Sequence, residues 1–279
     1  MARLAASIDA LRFGGDDWKA RLDAAHLEGA TVFHLAGLAH MPGGGDAAFV
    51  AANVAKTEAL AQAAAREGAR RLVFVSSIKV YGEESDRPFR VDDPPAPEDA
   101  YARSKVAAEQ ALARVAVEQG LETVVVRPPL VYGPGATGNL AALLRLADSP
   151  WPLPFASLDA PRSFVHVDDL ARLLVACGEQ PRARGRAYIA AHPDTVSAAR
   201  LVTLLRHAMG RPRRLVSAPR ALLEGAASVL GQGSSIRRLS RSLTGDPSAA
   251  QGELGWIARV SIEQAVEEMV REYRAKGRQ

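Results

Sequence analysis

The sequence predicts an α/β fold built on a parallel sheet, and three observations carry that prediction. Short apolar runs alternate with longer amphipathic stretches from Thr31 to about residue 135. The apolar runs are rich in valine, leucine and phenylalanine without interruption, as expected of strands covered on both faces. The chain has 279 residues, of which 48% are hydrophobic and 24% charged, so it can bury a large core.

The first half of the chain supplies the predicted sheet. Thr31 to Leu35 form a predicted buried strand, which ends in a loop at Ala36 and Gly37. The elements expected next are an amphipathic helix from residue 46 to a stop at Gly68, a strand over 71–77, a helix from Tyr101 and a strand over 122–127. Ligands of parallel sheets gather at the carboxyl ends of strands, so the loops at 36–39, 76–79 and 128–132 are candidate binding segments.

The pattern changes after Gly135. A helix and a proline-rich segment are followed by a strand over 163–167, a helix over 168–180 capped by Asp168, and a strand over 186–191. Later helices are predicted over 197–210, 221–231 and 261–277. We therefore expect a nucleotide-binding domain over residues 1–135, with 162–180 returning to it, and a smaller, mostly helical lobe over 136–279.

Composition limits the function classes. The formal charge of +4 comes mostly from dispersed arginines, which favours a solvated basic surface over a nucleic-acid partner. Cys177 is the single cysteine and lies in an apolar helical pattern, which indicates a buried structural thiol. His166 has no neighbour at metal spacing, so no metal is predicted. No signal-peptide core or membrane span is found in the sequence, and we expect a cytoplasmic protein.

Three residues form a candidate proton-transfer group. Tyr101 and Lys105 are four apart, which places them on one face of a helix. A close ammonium favours the phenolate, so we expect Lys105 to lower the pKa of Tyr101. Ser77, at the end of the preceding strand, could hold a substrate oxygen beside the phenol. The structural alternative is an exposed tyrosine at a helix start with a solvated lysine.

Several motifs, in order, resemble the extended short-chain dehydrogenase/reductases, the family of nucleotide-sugar epimerases, dehydratases and 4-keto reductases. The motifs are HLAG at 34–37, Asn53 with Thr57, SSIKVYGE at 76–83, YARSK at 101–105, RPPLVYGPG at 127–135, RSFVHVDDLA at 162–171 and GDPSAAQGELGW at 245–256. The resemblance runs from about residue 31 to 275 and implies a Rossmann-like, doubly wound sheet.

The resemblance also implies roles for single residues. Tyr101 would be the general acid/base, Lys105 would lower its pKa and contact the nicotinamide ribose, and Ser77 would orient the reacting oxygen. The cofactor, NAD or NADP, would contact these two helix residues together with Ala36, Gly37, Leu38, Asn53, Ser76 and Pro128. The substrate would contact Lys79, Tyr81, Leu130 and Arg162, the last of these through a diphosphate because a guanidinium matches phosphate oxygens.

Within the family, the motifs look most like the branch that acts on UDP-linked acetamido sugars in surface-polysaccharide synthesis. Net reaction at the fourth sugar carbon, as 4-epimerisation or 4-keto reduction, is the implied activity. The family begins with a strand and a GxxGxxG turn, whereas only about thirty residues precede HLAG here and Gly14-Gly15 is the sole glycine pair among them.

The lack of a glycine-rich turn keeps alternatives open. An N-terminally truncated homologue with weak cofactor binding could act as a sugar-nucleotide binder or as a partner protein. A third reading is a reductase of a non-sugar ketone or aldehyde, because the Ser/Tyr/Lys set is shared across such substrates. Loss of the first strand would expose the edge of the next one, so we expect a chain that is poorly soluble or that forms a homodimer through that edge.

Overall fold

The computed structural model describes residue 10 and residues 17–38, 46–136, 138–219 and 239–276. The weakly patterned residues 1–9, Gly14-Gly15, Ala39 and the predicted helix over 221–231 lie outside the described residues. Within the described part, the main sheet has four parallel strands in the order β1-β2-β3-β6. These strands are β1 (Thr31–His34), β2 (Arg71–Val75), β3 (Glu122–Arg127) and β6 (Ala187–Ile189). The predicted α/β fold with a parallel sheet is confirmed.

Helices connect these strands. They are α1 (Trp18–Asp23), α2 (Asp46–Phe49), α3 (Lys56–Arg66), α4 (Ala100–Gln119), α5 (Gly138–Ala147), α6 (Val167–Glu179), α7 (Ala198–Ala208), α8 (Ser248–Leu254) and α9 (Ile262–Lys276). Short 3₁₀ helices follow β2 (Ile78–Tyr81) and α6 (Pro181–Ala183). None of the helices in the described ranges is both long and apolar enough to cross a membrane.

The main sheet is covered on both faces, and β2 shows how the sequence produces this. Leu72 and Phe74 pack with apolar residues of α3 and α4, whereas Val73 packs with those of α6 and α8. Alternate side chains of a strand point to opposite faces, so a continuous apolar run is required when both faces are buried. The run RLVFV meets that requirement, since Leu72, Val73 and Phe74 have no exposed surface.

A second, smaller sheet and a helical core follow. Strands β4 (Leu130–Tyr132) and β5 (Phe164–His166) pair in parallel, and their aromatic residues Tyr132 and Phe164 pack with apolar residues of α5, α7 and α9. The chain then returns to the main sheet at β6, a segment that the sequence analysis placed in the smaller lobe. The division into two lobes remains a prediction.

Helix α6 begins one residue earlier than expected, and its cap is different. The side chain of His166 caps it, since Nδ1 accepts a hydrogen bond from the Asp168 backbone N–H at 3.2 Å. Asp168 is therefore inside the helix and does not cap it, contrary to the sequence analysis. The same helix carries Cys177, which is buried as predicted, and burial raises the pKa of its thiol to about 12.

The amphipathic helix predicted from residue 46 to Gly68 is not uniformly α-helical. A π-helix spans Val50–Ala55 between α2 and α3. Its wider turn shifts the phase of the side chains, and within it Val50 is 48% exposed while Asn53 is buried. The π-helix thus directs a polar amide toward the carboxyl end of β1.

Candidate active site

Tyr101, Ser77 and Lys105 come together at the carboxyl end of β2. Ser77 ends the strand segment and caps the following 3₁₀ helix, and Tyr101 lies in the first turn of α4. Their side chains form a hydrogen bond, while the Lys105 ammonium lies 6.0 Å from the centre of the Tyr101 ring. Asp99 begins α4 by accepting a hydrogen bond from the Ala102 N–H at 2.7 Å, which fixes the helix start.

The pKa of Tyr101 differs from the expectation. Burial raises it above the ordinary value, the hydrogen bond from Ser77 works to lower it, and the charge of Asp99 raises it further. We expected Lys105 to lower this pKa, but its ammonium donates a hydrogen bond to the Val75 carbonyl at 2.9 Å and faces the Phe74 ring at 4.7 Å. The phenol therefore retains its proton at neutral pH in this structure.

Lys105 itself is strongly perturbed. The residue is only 4% exposed, and burial lowers the pKa of its ammonium to about 8. Gly37 lies against it, and a Cβ at that position would be 2.9 Å from Lys105 Nζ. The absence of a side chain at Gly37 thus allows the loop after β1 to approach the lysine.

The loop after β1 is held by Asn53. The amide Oδ1 accepts a hydrogen bond from the Leu38 N–H at 2.7 Å, and Nδ2 donates to the Leu38 carbonyl at 3.0 Å and to Ser104 Oγ at 2.9 Å. Ser104 in turn donates to the Tyr101 carbonyl at 2.7 Å. Asn53 therefore joins the loop 36–38, in which Ala36 and Gly37 are exposed, to the helix that carries Tyr101.

Ser76 and Pro128 lie at the ends of β2 and β3. Ser76 Oγ is buried and makes no hydrogen bond within the described residues. The Pro128 carbonyl accepts a hydrogen bond from the Ile78 N–H at 3.0 Å, which links the β3 end to the segment after Ser77. The loop after β1 and the end of β2 thus meet at Lys105, and the end of β3 is joined to the segment after Ser77.

The two residues of SSIKVYGE proposed as sugar contacts have other partners. Lys79 forms ion pairs with Asp99 and Glu83. Tyr81 is only 3% exposed, donates a hydrogen bond to the Val91 carbonyl at 3.1 Å and contacts Arg127. The structure does not bring the Tyr81 hydroxyl to the site, because aromatic packing in the loop 85–93 buries the ring.

Leu130 and Arg162 lie at the smaller sheet, Leu130 at the start of β4 and Arg162 two residues before β5. Leu130 begins β4 and is 46% exposed. Arg162 donates a hydrogen bond from Nη1 to the Arg241 carbonyl at 2.9 Å, and the Arg241 guanidinium lies 3.8 Å from the Glu98 carboxylate. Since Glu98 directly precedes Asp99, these contacts connect the Arg162 segment to the start of α4.

Comparison with known proteins decides the family. The NAD dependent epimerase/dehydratase family matches residues 16–191, more than half of the chain. The chain belongs to this family. Its similarity to a UDP-glucose 4-epimerase of Vibrio cholerae is 36% identity over 207 residues, covering 73% of this chain and 63% of the relative. The chain spans between about half and two thirds of the length of the curated relatives it matches.

Solved structures of similar proteins share the fold. The structure of MoeE5 in complex with UDP-glucuronic acid and NAD has a TM-score of 0.73 at 26% identity, covering 91% of this chain and 84% of that one. The structure of RMD from Pseudomonas aeruginosa complexed with NADPH has a TM-score of 0.73 at 22% identity, covering 88% and 81%. The Rossmann-like class predicted from the motifs is confirmed.

The described site fits one end of the dinucleotide that this family uses. Around Lys105, the buried Ser76 hydroxyl has bonding capacity left over, and Gly37 leaves room that a side chain would fill. These features suit a nicotinamide ribose, with its hydroxyl groups. The glycine-rich diphosphate turn has no counterpart in the sequence. No group of three or more His, Cys, Asp or Glu residues suited to a metal occurs in the described ranges.

Sequence reasoning missed the carboxylates and amide contacts that support this epimerase/dehydratase site. Asp99 could have been found, because an Asp immediately before a predicted helix is an N-cap signal. Ser104 lies three residues after Tyr101 on the same helix face, but its bond to Asn53 spans 51 positions and leaves no local signal. The same holds for His34, whose Nε2 lies 2.9 Å from Thr57 Oγ1.

Proposed function

We propose that the chain catalyses NAD(P)-dependent chemistry at the fourth carbon of a UDP-linked sugar, as 4-epimerisation or 4-keto reduction, in the synthesis of surface-polysaccharide precursors. The observation that supports this most is the hydrogen-bonded Ser77 and Tyr101 pair beside the buried Lys105. The relative named as a UDP-glucose 4-epimerase, and the MoeE5 complex with UDP-glucuronic acid and NAD, support the nucleotide-sugar class.

Tyr101 would move the proton in this reaction. Because burial raises the pKa of its phenol, Tyr101 holds a proton to donate to the oxygen at the fourth carbon when that carbon is reduced. The Ser77 hydroxyl would orient the same oxygen, and the Lys105 charge would stabilise negative charge that develops on it. A bound nicotinamide cofactor would supply or accept the hydride.

The two predicted lobes divide the ligands in this proposal. Residues 1–135 with 162–180 would bind the cofactor, through the loop 36–38, Asn53, Ser76 and Pro128. Residues 136–279 would bind the sugar nucleotide, and Leu130 and Arg162 would face it from the junction. Arg162 would contact the diphosphate, since the residue is half-buried and a guanidinium matches phosphate oxygens.

Cofactor binding is the first test. NADH and NADPH are titrated into the purified chain, and binding is followed by nicotinamide fluorescence and by calorimetry. We expect micromolar binding of at least one cofactor, with a change in fluorescence. Gly37→Val serves as a matched variant, since a larger side chain would displace the Lys105 ammonium and weaken binding. No binding at millimolar cofactor would overturn the proposal and favour the sugar-nucleotide binder or partner protein.

Turnover is measured next, with UDP-glucose, UDP-N-acetylglucosamine and their 4-keto derivatives. A 4-keto reductase consumes NAD(P)H, whereas a 4-epimerase interconverts two UDP-sugars without net consumption. Tyr101→Phe should retain cofactor binding and lose about 100- to 10,000-fold in turnover, because the ring remains and the proton donor is gone. Unchanged turnover in Tyr101→Phe would remove the proton-transfer role from this residue.

A further inference from the structure

Lys79 is held by two carboxylates beside Tyr101. It follows Ser77 by two residues and lies in the 3₁₀ helix Ile78–Tyr81. Its ammonium forms ion pairs with Asp99 Oδ2 and Glu83 Oε1, and its side chain is only 19% exposed. A lysine fixed in this way has little freedom to reach a ligand, so the sugar contact suggested by the sequence would require breaking two ion pairs.

Asp99 connects Lys79 to the helix of Tyr101. One carboxylate oxygen accepts a hydrogen bond from the Ala102 N–H at 2.7 Å, while the other binds Lys79. Burial opposes ionisation of Asp99, but the hydrogen bonds from Lys79 and Ala102 and the charge of Lys79 hold the pKa of its carboxyl below the ordinary value. A charged Asp99 therefore caps the helix two residues before the phenol.

Two lysine ammonium groups lie near the Tyr101 ring, one from the 3₁₀ helix Ile78–Tyr81 and one from α4. Lys79 lies 5.9 Å from the ring centre and Lys105 6.0 Å from it. Other polar and charged groups close to this part of α4 are Ser77 at the phenol, Asp99 and Glu83 on Lys79, the Arg103–Asp46 pair at 2.9 Å and the Arg241–Glu98 pair at 3.8 Å. Lys79 is thus the positive group that faces both the ring and the Asp99 carboxylate.

We propose that Lys79 is a positioning residue for Tyr101: it fixes the Asp99 cap at the start of α4 and offsets the negative charge of Asp99 and Glu83 beside the phenol. This inference rests on the proposed function only for the role of Tyr101 as the proton-transfer group. The physical reason is that a carboxylate next to a phenol disfavours the phenolate, and a cation on that carboxylate cancels part of the effect. Lys105 and Lys79 then have separate tasks, one at the cofactor side and one at the helix start.

The test measures the ionisation of Tyr101 without cofactor or turnover. The chain has five tyrosines, so difluorotyrosine, a more acidic phenol, is placed at position 101 alone and titrated by fluorine NMR. Lys79→Met should raise the pKa at position 101 and weaken the acid roughly tenfold. Lys79→Arg keeps the charge and should leave the ionisation constant within about twofold of the parent.

Two further variants separate electrostatics from folding. Asp99→Asn keeps an N-cap side chain but removes the charge, so it should lower the pKa at position 101 while α4 stays intact by circular dichroism. Lys19→Met is the matched control, because Lys19 also lies over an aromatic ring, Trp18, at 5.6 Å but belongs to α1. It should leave the ionisation of position 101 unchanged.

Each outcome decides the proposal. A raised pKa in Lys79→Met, rescued by arginine, supports it, and a shift of the same size in Lys19→Met overturns it. A Lys79→Met pKa within about twofold of the parent ionisation constant also overturns it. If Lys79→Met does not fold, Asp99→Asn decides alone, since an unchanged pKa there would show that the carboxylate does not act on the phenol. Failure of cofactor binding leaves all these readings unaffected.

Discussion

Lys105 is a buried lysine whose ionisation is strongly perturbed by the site. Its ammonium is buried against the Phe74 ring and has the Val75 carbonyl as a hydrogen-bond acceptor. Burial lowers its pKa from 10.5 to about 8, so the folded chain binds this proton more weakly than the unfolded chain does. A lysine retained under such a cost is consistent with a role in binding or chemistry.

The pH dependence of stability should report this cost. Below pH 8 both states hold the proton and the folded state bears the full penalty; between about 8 and 10.5 only the unfolded state holds it, so the penalty is relieved as pH rises. Lys105→Met should therefore be more stable than the parent at pH 7, by up to roughly 3 kcal/mol at about 1.4 kcal/mol per pKa unit. The difference should shrink toward pH 10.5.

Urea unfolding of the parent and of Lys105→Met between pH 6 and 10 gives the measurement. Lys19→Met, which removes an exposed lysine of α1, is the control and should follow the parent at every pH. A Lys105→Met variant that is less stable than the parent at pH 7, with a difference independent of pH, would contradict the buried-charge argument.

The sequence predicted which residues lie together at the site better than it predicted their orientation and protonation. Local spacing sufficed to place Tyr101 and Lys105 on one helix face, and Ser77 was predicted at the end of the preceding strand. The Lys105 ammonium is directed to Phe74 and Val75, on another element. Burial of the phenol, which local spacing does not show, reversed the expected direction of the Tyr101 pKa. The sequence did not predict the position of Tyr81 for a similar reason, since the burial of its ring depends on packing against residues of a later loop.

Among the elements, the π-helix Val50–Ala55 was not predicted by the hydrophobic periodicity of the sequence. The sequence fits an uninterrupted α-helix, because each residue is compatible with α-helical geometry. The wider π-helical turn is stabilised by tertiary hydrogen bonds, in which the Asn53 side chain binds Leu38 and Ser104. Contacts between distant segments decide such a local irregularity, and a single-sequence pattern does not contain them.

A second contact between elements, that of α6 with the segment after α8, depends on Asp169 in the first turn of α6. This residue has no exposed surface, and its carboxylate accepts hydrogen bonds from the Arg259 and Val260 N–H groups at 3.0–3.1 Å. Its carbonyl accepts a further hydrogen bond from Trp256 Nε1 at 3.0 Å. Asp169 therefore anchors the segment after α8 to α6.

Asp169→Asn should destabilise the fold, because an amide nitrogen would face backbone donors that need an acceptor. The expected loss is about 2–4 kcal/mol in the free energy of unfolding, measured by urea titration at pH 7. Asp168→Asn is the matched control, since the Asp168 side chain is 75% exposed, and it should change the free energy by less than about 0.5 kcal/mol. Equal losses in both variants would refute the anchoring role.

At the scale of the whole molecule, β1 and β6 are the two edge strands of the main sheet, and the edge at β1 has a testable consequence. Among the described residues β1 pairs only with β2, and it contains no Lys, Glu or Pro that would protect an edge. Phe33 is 39% exposed and Leu35, just after the strand, is 63% exposed. The alternation of strands and helices predicted the sheet, but the pairing of β6 with β3 needed the structure, because their sequences are separated by the smaller sheet.

We expect the purified chain to self-associate through the β1 edge, as two copies related by a two-fold axis would pair β1 with β1 in antiparallel orientation. Leu35→Lys places a charge at this edge and should weaken the association at least about tenfold. Sedimentation velocity over a concentration series measures it. Ile257→Lys, on a residue that is 56% exposed outside the sheet, should associate like the parent. A parent chain that stays monomeric throughout would show that this edge is protected, since an open strand edge with exposed phenylalanine and leucine favours pairing.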